Sequence, residues 1–143
     1  MIKDADIKDI FSKYRTIAVC GMSKNEEKAA YYVPAFLFAK GYAIIPVNPT
    51  AEEILHLHCY PRLIDIVEQI DILEVFRPSA QVPDVVQEAL DRKKMRGDIE
   101  VIWLQDGIYN DEARMLAEQD GIIFIQDRCM MKEYKRLFSQ NKS

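Results

Sequence analysis

The chain has 143 residues, 49% hydrophobic and 29% charged, with a net charge of −4 and three cysteines. That make-up fits one globular domain large enough to bury a real core, and it excludes a disordered chain. The acidic balance offers no basic face to nucleic acid, and no segment approaches the roughly 18 consecutive apolar residues of a membrane span.

Residues 1–6 have neither the basic start nor the apolar centre of a secretion signal. Cys20, Cys59 and Cys129 form no spaced framework, so reduced thiols in a cytoplasmic protein are expected. Ile7, Ile10, Phe11 and Tyr14 recur at helical spacing behind Asp4 and Asp6, which can cap a helix. Residues 4–14 are therefore predicted as a short amphipathic helix packed outside the main fold. Residues 16–20 are an apolar run that ends at Gly21 and gives way to a polar loop with Lys24 and Lys28. A glycine in such a turn lets the backbone approach a ligand closely. Val33, Phe36 and Leu37 then form an apolar helix face that closes at Gly41. Pro34 belongs in the first turn of that helix, which must start near Ala30 or Tyr31. No Ser, Thr, Asp or Asn stands there as a cap, and a bound anion can take that place.

Residues 42–47 read as a buried parallel strand ended by Asn48-Pro49. Residues 56–60 are predicted as a short edge strand closed by Pro61, and residues 63–70 as a short helix. Residues 71–76 are the next buried strand, ended by Arg77-Pro78. Val82, Val85, Val86, Ala89 and Leu90 follow at helical spacing, with Pro83 at the helix start. Residues 99–104 form another strand, with Gln105-Asp106-Gly107 as its exit turn. Asn110 caps a helix whose first turn holds Asp111 and Glu112, and Gly121 stops it. Residues 122–125 make the last strand, and Met131, Tyr134, Leu137 and Phe138 mark a closing helix.

Strands alternating with helices predict an α/β fold over residues 1–143: a single domain, doubly wound and Rossmann-like, in three layers α/β/α. The expected sheet has six parallel strands in the order 3-2-1-4-5-6. Ligands then bind beyond the carboxyl ends of the strands, where strand order reverses. That crevice would be lined by residues 21–28, 48–49, 76–78 and 105–107. A dinucleotide is disfavoured, because Gly21 stands alone where the fingerprint needs G-x-G-x-x-G. Asn48 also ends the second strand, where an acidic residue would hold the ribose of NAD. No P-loop is present.

Few side chains suggest chemistry. His56, His58 and Cys59 fit no standard zinc spacing, so no metal is assigned. Cys20 reads as a packed thiol, whereas Cys129 is expected to be semi-exposed and is a redox candidate. Trp103, Tyr60 and Met130-Met131 read as packing residues. No catalytic constellation emerges.

Several blocks in order carry a resemblance. They are Val19-Cys20-Gly21-Met22-Ser23 with Lys28 and Tyr31, Gly41-Tyr42 through Ile45-Pro46-Val47-Asn48-Pro49, Cys59-Tyr60-Pro61 and Val75-Phe76-Arg77. Trp103-Leu104-Gln105-Asp106-Gly107 and Asp127-Arg128-Cys129-Met130-Met131 complete the set. Together, over residues 8–138, they resemble the CoA-binding domain family, similar to the CoA-binding domain of the succinyl-CoA synthetase α subunit.

The resemblance implies coenzyme A as the cofactor, lying across the strand ends. Gly21, Met22 and Ser23 would meet its phosphates. Val47, Asn48 and Pro49, with Phe76, Arg77 and Pro78, would hold the nucleotide end, and Leu104, Gln105 and Gly107 would border the pantetheine arm. The 3′-phosphate would need a cation among Lys24, Lys28 and Arg77. Lys28 stands where family members often have Arg, Ala30 where they have Ser, and Tyr134 where they have His; residues 93–98 run slightly longer and read as a surface loop. The implied function is non-catalytic binding of CoA or acyl-CoA by a carrier, sensor or regulatory module. It would act alone, as a homo-oligomer or beside a synthetase-type partner chain, with no nucleic-acid or membrane partner. The alternatives are the CoA-binding part of a split acyl-CoA synthetase (ADP- or GDP-forming) and an NAD(P)-dependent oxidoreductase.

Overall fold

Five apolar runs dominate the interior, and in the computed structural model, which describes residues 2–138, they pair as one parallel sheet. In chain order the strands are β1 (Thr16–Cys20), β2 (Ala43–Val47), β3 (Glu53–Ile54), β4 (Leu57–His58), β5 (Ile72–Val75), β6 (Val101–Leu104) and β7 (Ile123–Ile125). The helices are α1 (Asp4–Lys13), α2 (Ala29–Ala39), α3 (Val82–Arg96), α4 (Asp111–Gln119) and α5 (Met130–Phe138). The sheet runs β2-β1-β5-β6-β7, while β3 and β4 form a separate antiparallel hairpin. Strand order therefore reverses at β1, as the doubly wound reading requires.

Both faces are covered. Ile7, Ile10 and Phe11 of α1, Val33 and Leu37 of α2, and Met130 and Leu137 of α5 pack with Val19 and Trp103 on one side. Val82, Val86 and Ala89 of α3 and Ala113 and Ala117 of α4 pack with Ala18, Leu73 and Leu104 on the other. Because the strands are buried on both sides, their alternation of apolar residues is hidden and they read as continuous runs. Tyr134 joins an aromatic cluster with Phe11 at 5.3 Å, Phe36 at 5.7 Å, Tyr42 at 6.3 Å and Phe138 at 4.9 Å between ring centroids. Among the described residues no helix is long and apolar enough to cross a membrane.

Three expectations are corrected. The sixth strand over residues 56–60 does not form, because Leu55 and His56 take φ of 60° and 61° and fold the segment into the β3–β4 hairpin. Only Tyr60 reaches the sheet, by a parallel bridge to Val47. Pro61 then ends the pairing. The helix expected over residues 63–70 shrinks to one 3-10 turn, Leu63–Asp65. Its backbone is held from outside: the Arg92 guanidinium donates to the carbonyls of Leu63, Ile66 and Glu68 at 3.0, 2.8 and 2.8 Å. Residues 93–98 are not a surface loop, since α3 runs through Arg96 and Asp98 is buried. Asp98 pairs with Arg92 at 3.0 Å, and its carboxylate accepts the Ile70 N–H at 3.0 Å.

Both members of that pair are wholly buried as side chains. Removing one leaves the other charged and unpaired in the core, a loss of about 3–5 kcal/mol. Asp98→Ala is expected to lower stability by that amount in urea unfolding, with an unchanged dependence on denaturant.

Candidate functional site

The first turn after β1 builds the site. Gly21 takes φ +84° and its N–H donates to the Val47 carbonyl at 3.0 Å. A Cβ there would lie 2.8 Å from the Phe76 carbonyl oxygen and 2.9 Å from Cδ of Arg77. The glycine is thus required by the neighbouring strand exit as well as by the turn's backbone. Beyond it the loop is self-bonded. Ser23 Oγ accepts the Asn25 N–H at 3.0 Å, Asn25 Oδ1 accepts the Glu27 N–H at 2.9 Å, and the Lys28 N–H donates to the Asn25 carbonyl at 3.0 Å.

α2 starts behind Lys28, which offers no side-chain cap. The N–H groups of Tyr31 and Tyr32 bond to the Lys28 carbonyl, and those of Ala29 and Ala30 have no acceptor among the described residues. These open donors, with the positive end of an 11-residue helix behind them, face a cleft of about 480 Å³. Gly21, Ser23, Lys28, Ala29 and Ala30 line one wall, and Phe76, Gln105, Asp106 and Ile108, from the exits of β5 and β6, line the other.

Gln105 is 6% exposed, and its Oε1 is buried with no hydrogen-bond partner. A buried acceptor without a donor is uncommon in a folded protein, and this one belongs to a residue that lines the cleft. Its neighbours are anchored: the Gly107 N–H donates to Asp127 Oδ1 at 2.7 Å, and Asp106 pairs with Lys132 of α5 at 3.2 Å. One row below, Glu74 is wholly buried between Val19 and Trp103, and neither carboxyl oxygen has a partner. Burial pushes its pKa up to about 8, so it is largely neutral at pH 7.

The residues singled out from the sequence divide into groups. Gly21, Ser23, Lys28, Phe76 and Gln105 meet in the cleft. Met22, Val47 and Leu104 turn their side chains into the core. Asn48 is engaged within the fold, its Nδ2 donating to the Met22 carbonyl at 2.8 Å and its Oδ1 accepting from Thr50. Pro49 lines a separate cavity with His58 and Cys59. Arg77 lies along Gly21 and donates to Gln81 Oε1 at 2.9 Å, Pro78 precedes the 3-10 turn Ser79–Gln81, and Lys24 and Gly107 lie outside the cleft lining. The cleft lining also includes Ala29, Ala30, Asp106 and Ile108, to which the sequence assigns no ligand contact. The missing cap points to a start near Ala30 or Tyr31, one residue or two beyond the observed start at Ala29, and the Gln105-Asp106-Gly107 turn contains Asp106. The sequence signal for Glu74 is a lone acid inside the apolar run Ile72–Val75.

The cysteines are all buried. Cys20 is pushed up to about 11 by burial, in keeping with a packed thiol. Cys129 is 3% exposed, which corrects the expectation of a semi-exposed thiol. Tyr60 is half-buried rather than in the core, with its hydroxyl donating to Glu68 at 3.1 Å. Among the described residues no three His, Cys, Asp or Glu side chains are grouped to hold a metal.

A family model described as CoA binding domain matches residues 15–135. The chain belongs to that family. It is 37% identical over 126 residues to the uncharacterized protein YneT of Bacillus subtilis, covering 88% of this chain and 90% of YneT. It is 34% identical over 96 residues to acetate–CoA ligase (ADP-forming) II of Archaeoglobus fulgidus, covering 66% of this chain but only 14% of the ligase. The structure of cell-free ID.343 from Thermus thermophilus superimposes with a TM-score of 0.88 at 37% identity, covering 96% of this chain and all of that one.

Two outcomes follow for stability. Gly21→Ala combines a positive φ with a backbone clash, so a loss of roughly 1–3 kcal/mol or more is expected in thermal unfolding. Between about 4.5 and 8 the folded protein keeps a Glu74 proton that the unfolded chain has released. Stability from this group is therefore fully present at the acid end and is lost as pH rises through about 8. Glu74→Gln is expected to remove that component of the melting-temperature slope.

Proposed function

We propose that this chain binds coenzyme A or an acyl-CoA in the cleft at the mouth of α2, as a non-catalytic carrier, sensor or regulatory module of the cytosol. The observation that carries the reading is the uncapped start of α2, with two open N–H donors beside Lys28 and a buried, unpartnered Gln105 oxygen across the same cleft. A helix mouth of this kind suits a pyrophosphate, since backbone donors and the helix dipole act together on an anion. Membership of a CoA-binding family selects coenzyme A from among the phosphorylated ligands that such a mouth would accept.

In this reading the N–H groups of Ala29 and Ala30 and the Ser23 hydroxyl hold the pyrophosphate. Phe76 offers an apolar surface to the nucleotide end, which extends toward residues 47–49 and 76–78. A cation from Lys24, Lys28 or Arg77 meets the 3′-phosphate, and the pantetheine arm passes Gln105 toward Leu104 and Gly107. The titratable side chains lining the cleft are Lys28 and Asp106, and they form no nucleophile–base pair. Binding without bond-breaking is the reading this supports.

A second reading is supported by the ligase relatives: the chain serves as the CoA-binding part of a split acyl-CoA synthetase, with partner chains supplying the chemistry. It spans 14% of the Archaeoglobus ligase named above and 18% of the acetate–CoA ligase of Methanocaldococcus jannaschii.

Native mass spectrometry of freshly purified protein is expected to show a retained mass equal to CoA or an acyl-CoA. In calorimetric titration, dephospho-CoA is expected to bind about tenfold or more weakly than CoA, the loss of one charge-assisted contact. Lys28→Ala is expected to weaken CoA by a similar factor. NAD binding as tightly as CoA would overturn the assignment, and thioester formation only with a partner chain present would favour the second reading.

A further inference from the structure

Among the described residues, the buried side-chain polar atoms without a partner are both carboxyl oxygens of Glu74 and Oε1 of Gln105. They are not scattered. Glu74 lies opposite Trp103 in the β5–β6 register, and Gln105 follows two residues beyond Trp103, its N–H continuing the ladder to the Val75 carbonyl at 3.3 Å. Alternation along a strand places Gln105 on the same sheet face as Trp103, and hence as Glu74. Strand spacing and rise put the two Cα atoms about 8 Å apart, within the joint reach of two long side chains.

Three other side-chain donors on this face are committed elsewhere. The Trp103 indole N–H donates to the Arg128 carbonyl at 2.8 Å, the Tyr42 hydroxyl to the Phe11 carbonyl at 2.6 Å, and the Cys59 thiol to the Asn48 carbonyl at 3.6 Å. The buried pair Arg92–Asp98 belongs to the opposite face, among the carbonyls of Leu63 and Ile66. An acceptor thus faces inward without a donor, and beside it is a carboxyl group that becomes a donor when it carries its proton.

We propose that neutral Glu74 is a positioning residue for the cleft. Its O–H donates to Oε1 of Gln105 and so turns the Gln105 NH2 outward, as a hydrogen-bond donor to a carbonyl or phosphoryl oxygen of the bound ligand. The pairing needs rotation about side-chain bonds only. Naming the ligand as coenzyme A rests on the function proposed above, whereas the pairing of the two side chains does not.

Glu74 meets no charged group on this face. The titratable side chains brought to it are Tyr31 of α2, Tyr134 of α5, Tyr14 at the end of α1, Tyr42 before β2, Cys59 after β4 and Cys129 before α5. No charged neighbour shifts its proton affinity, and burial raises it. At the rim, Asp106 and Lys132 are paired with each other.

Two measurements on the full chain test the proposal. The first needs no ligand: the Glu74 carboxyl carbon is titrated by NMR in the wild type and in Gln105→Met. Loss of the acceptor that favours the neutral form is expected to lower the Glu74 midpoint, and an unchanged midpoint overturns the pairing. Gln105→Leu repeats the test if the first variant folds poorly. The second is CoA affinity by calorimetry. Glu74→Gln, whose amide N–H replaces the O–H, is expected to keep wild-type affinity at pH 7, and Glu74→Met to lose about tenfold. From about pH 7 to 9 wild-type affinity is expected to fall about tenfold further than that of Glu74→Gln, because ionisation near 8 removes the donor. The ligand's own groups titrate equally in both proteins, so the difference belongs to Glu74. Identical pH profiles, or equal weakening by Gln and Met, overturn the positioning role. A wild type that fails to bind CoA overturns the ligand assignment, and the NMR comparison still decides the pairing.

Discussion

A helix that begins without a side-chain cap leaves backbone donors in need of a partner, and most of this molecule is arranged around one such beginning. α2 follows Lys28 with the N–H groups of Ala29 and Ala30 open to a cleft. The cost of leaving them without a protein partner is tolerable because the cleft is open to solvent and to anions. What keeps the mouth in place is the packing beneath it. Val33 and Leu37 anchor α2 on the sheet, and the Asn48 side chain ties the first turn to the exit of β2. The strand exits opposite are fixed in turn by Phe76 against Gly21 and by Gly107 against Asp127.

The two sheet faces do different work. On the α3–α4 side, the only buried charges among the described residues with full partners are Arg92 and Asp98, which clamp the irregular segment after Pro61 to the end of α3. Every hydrogen bond of that clamp stays inside the protein. On the α1–α2–α5 side the polar atoms under the cleft are left unsatisfied, in the middle of an otherwise apolar wall. Buried polar groups without partners cost free energy, so the wall beneath the cleft gives up stability that the opposite face keeps.

Sequence alone revealed the alternation of strands and helices, the absent cap on α2, the Asn110 cap on α4 and the stop at Gly121, because these depend on neighbours in the chain. It failed where distant residues intervened. Residues 63–70 looked helical, but the Arg92 guanidinium takes the carbonyls a helix would use. Residues 56–60 looked like an edge strand, yet Leu55 and His56 adopt the left-handed turn that usually calls for Asn-Gly. In the cleft, Gly21, Ser23, Lys28, Phe76 and Gln105 were legible as strand-exit residues. The buried side chains of Met22, Val47 and Leu104 were not, because proximity in sequence to a strand exit does not say which way a side chain turns.

The outer border of the sheet at β2 has a consequence for how the molecule behaves among its neighbours. Pro46 interrupts that border with a residue that has no N–H, and its carbonyl is already taken by the Tyr60 N–H at 3.0 Å. The Tyr60 carbonyl accepts the next available donor, from Asn48, at 2.9 Å. At Pro46 and Asn48 an arriving extended strand finds these groups already bonded or absent, so this stretch of the border is a selvage that offers little to pair with.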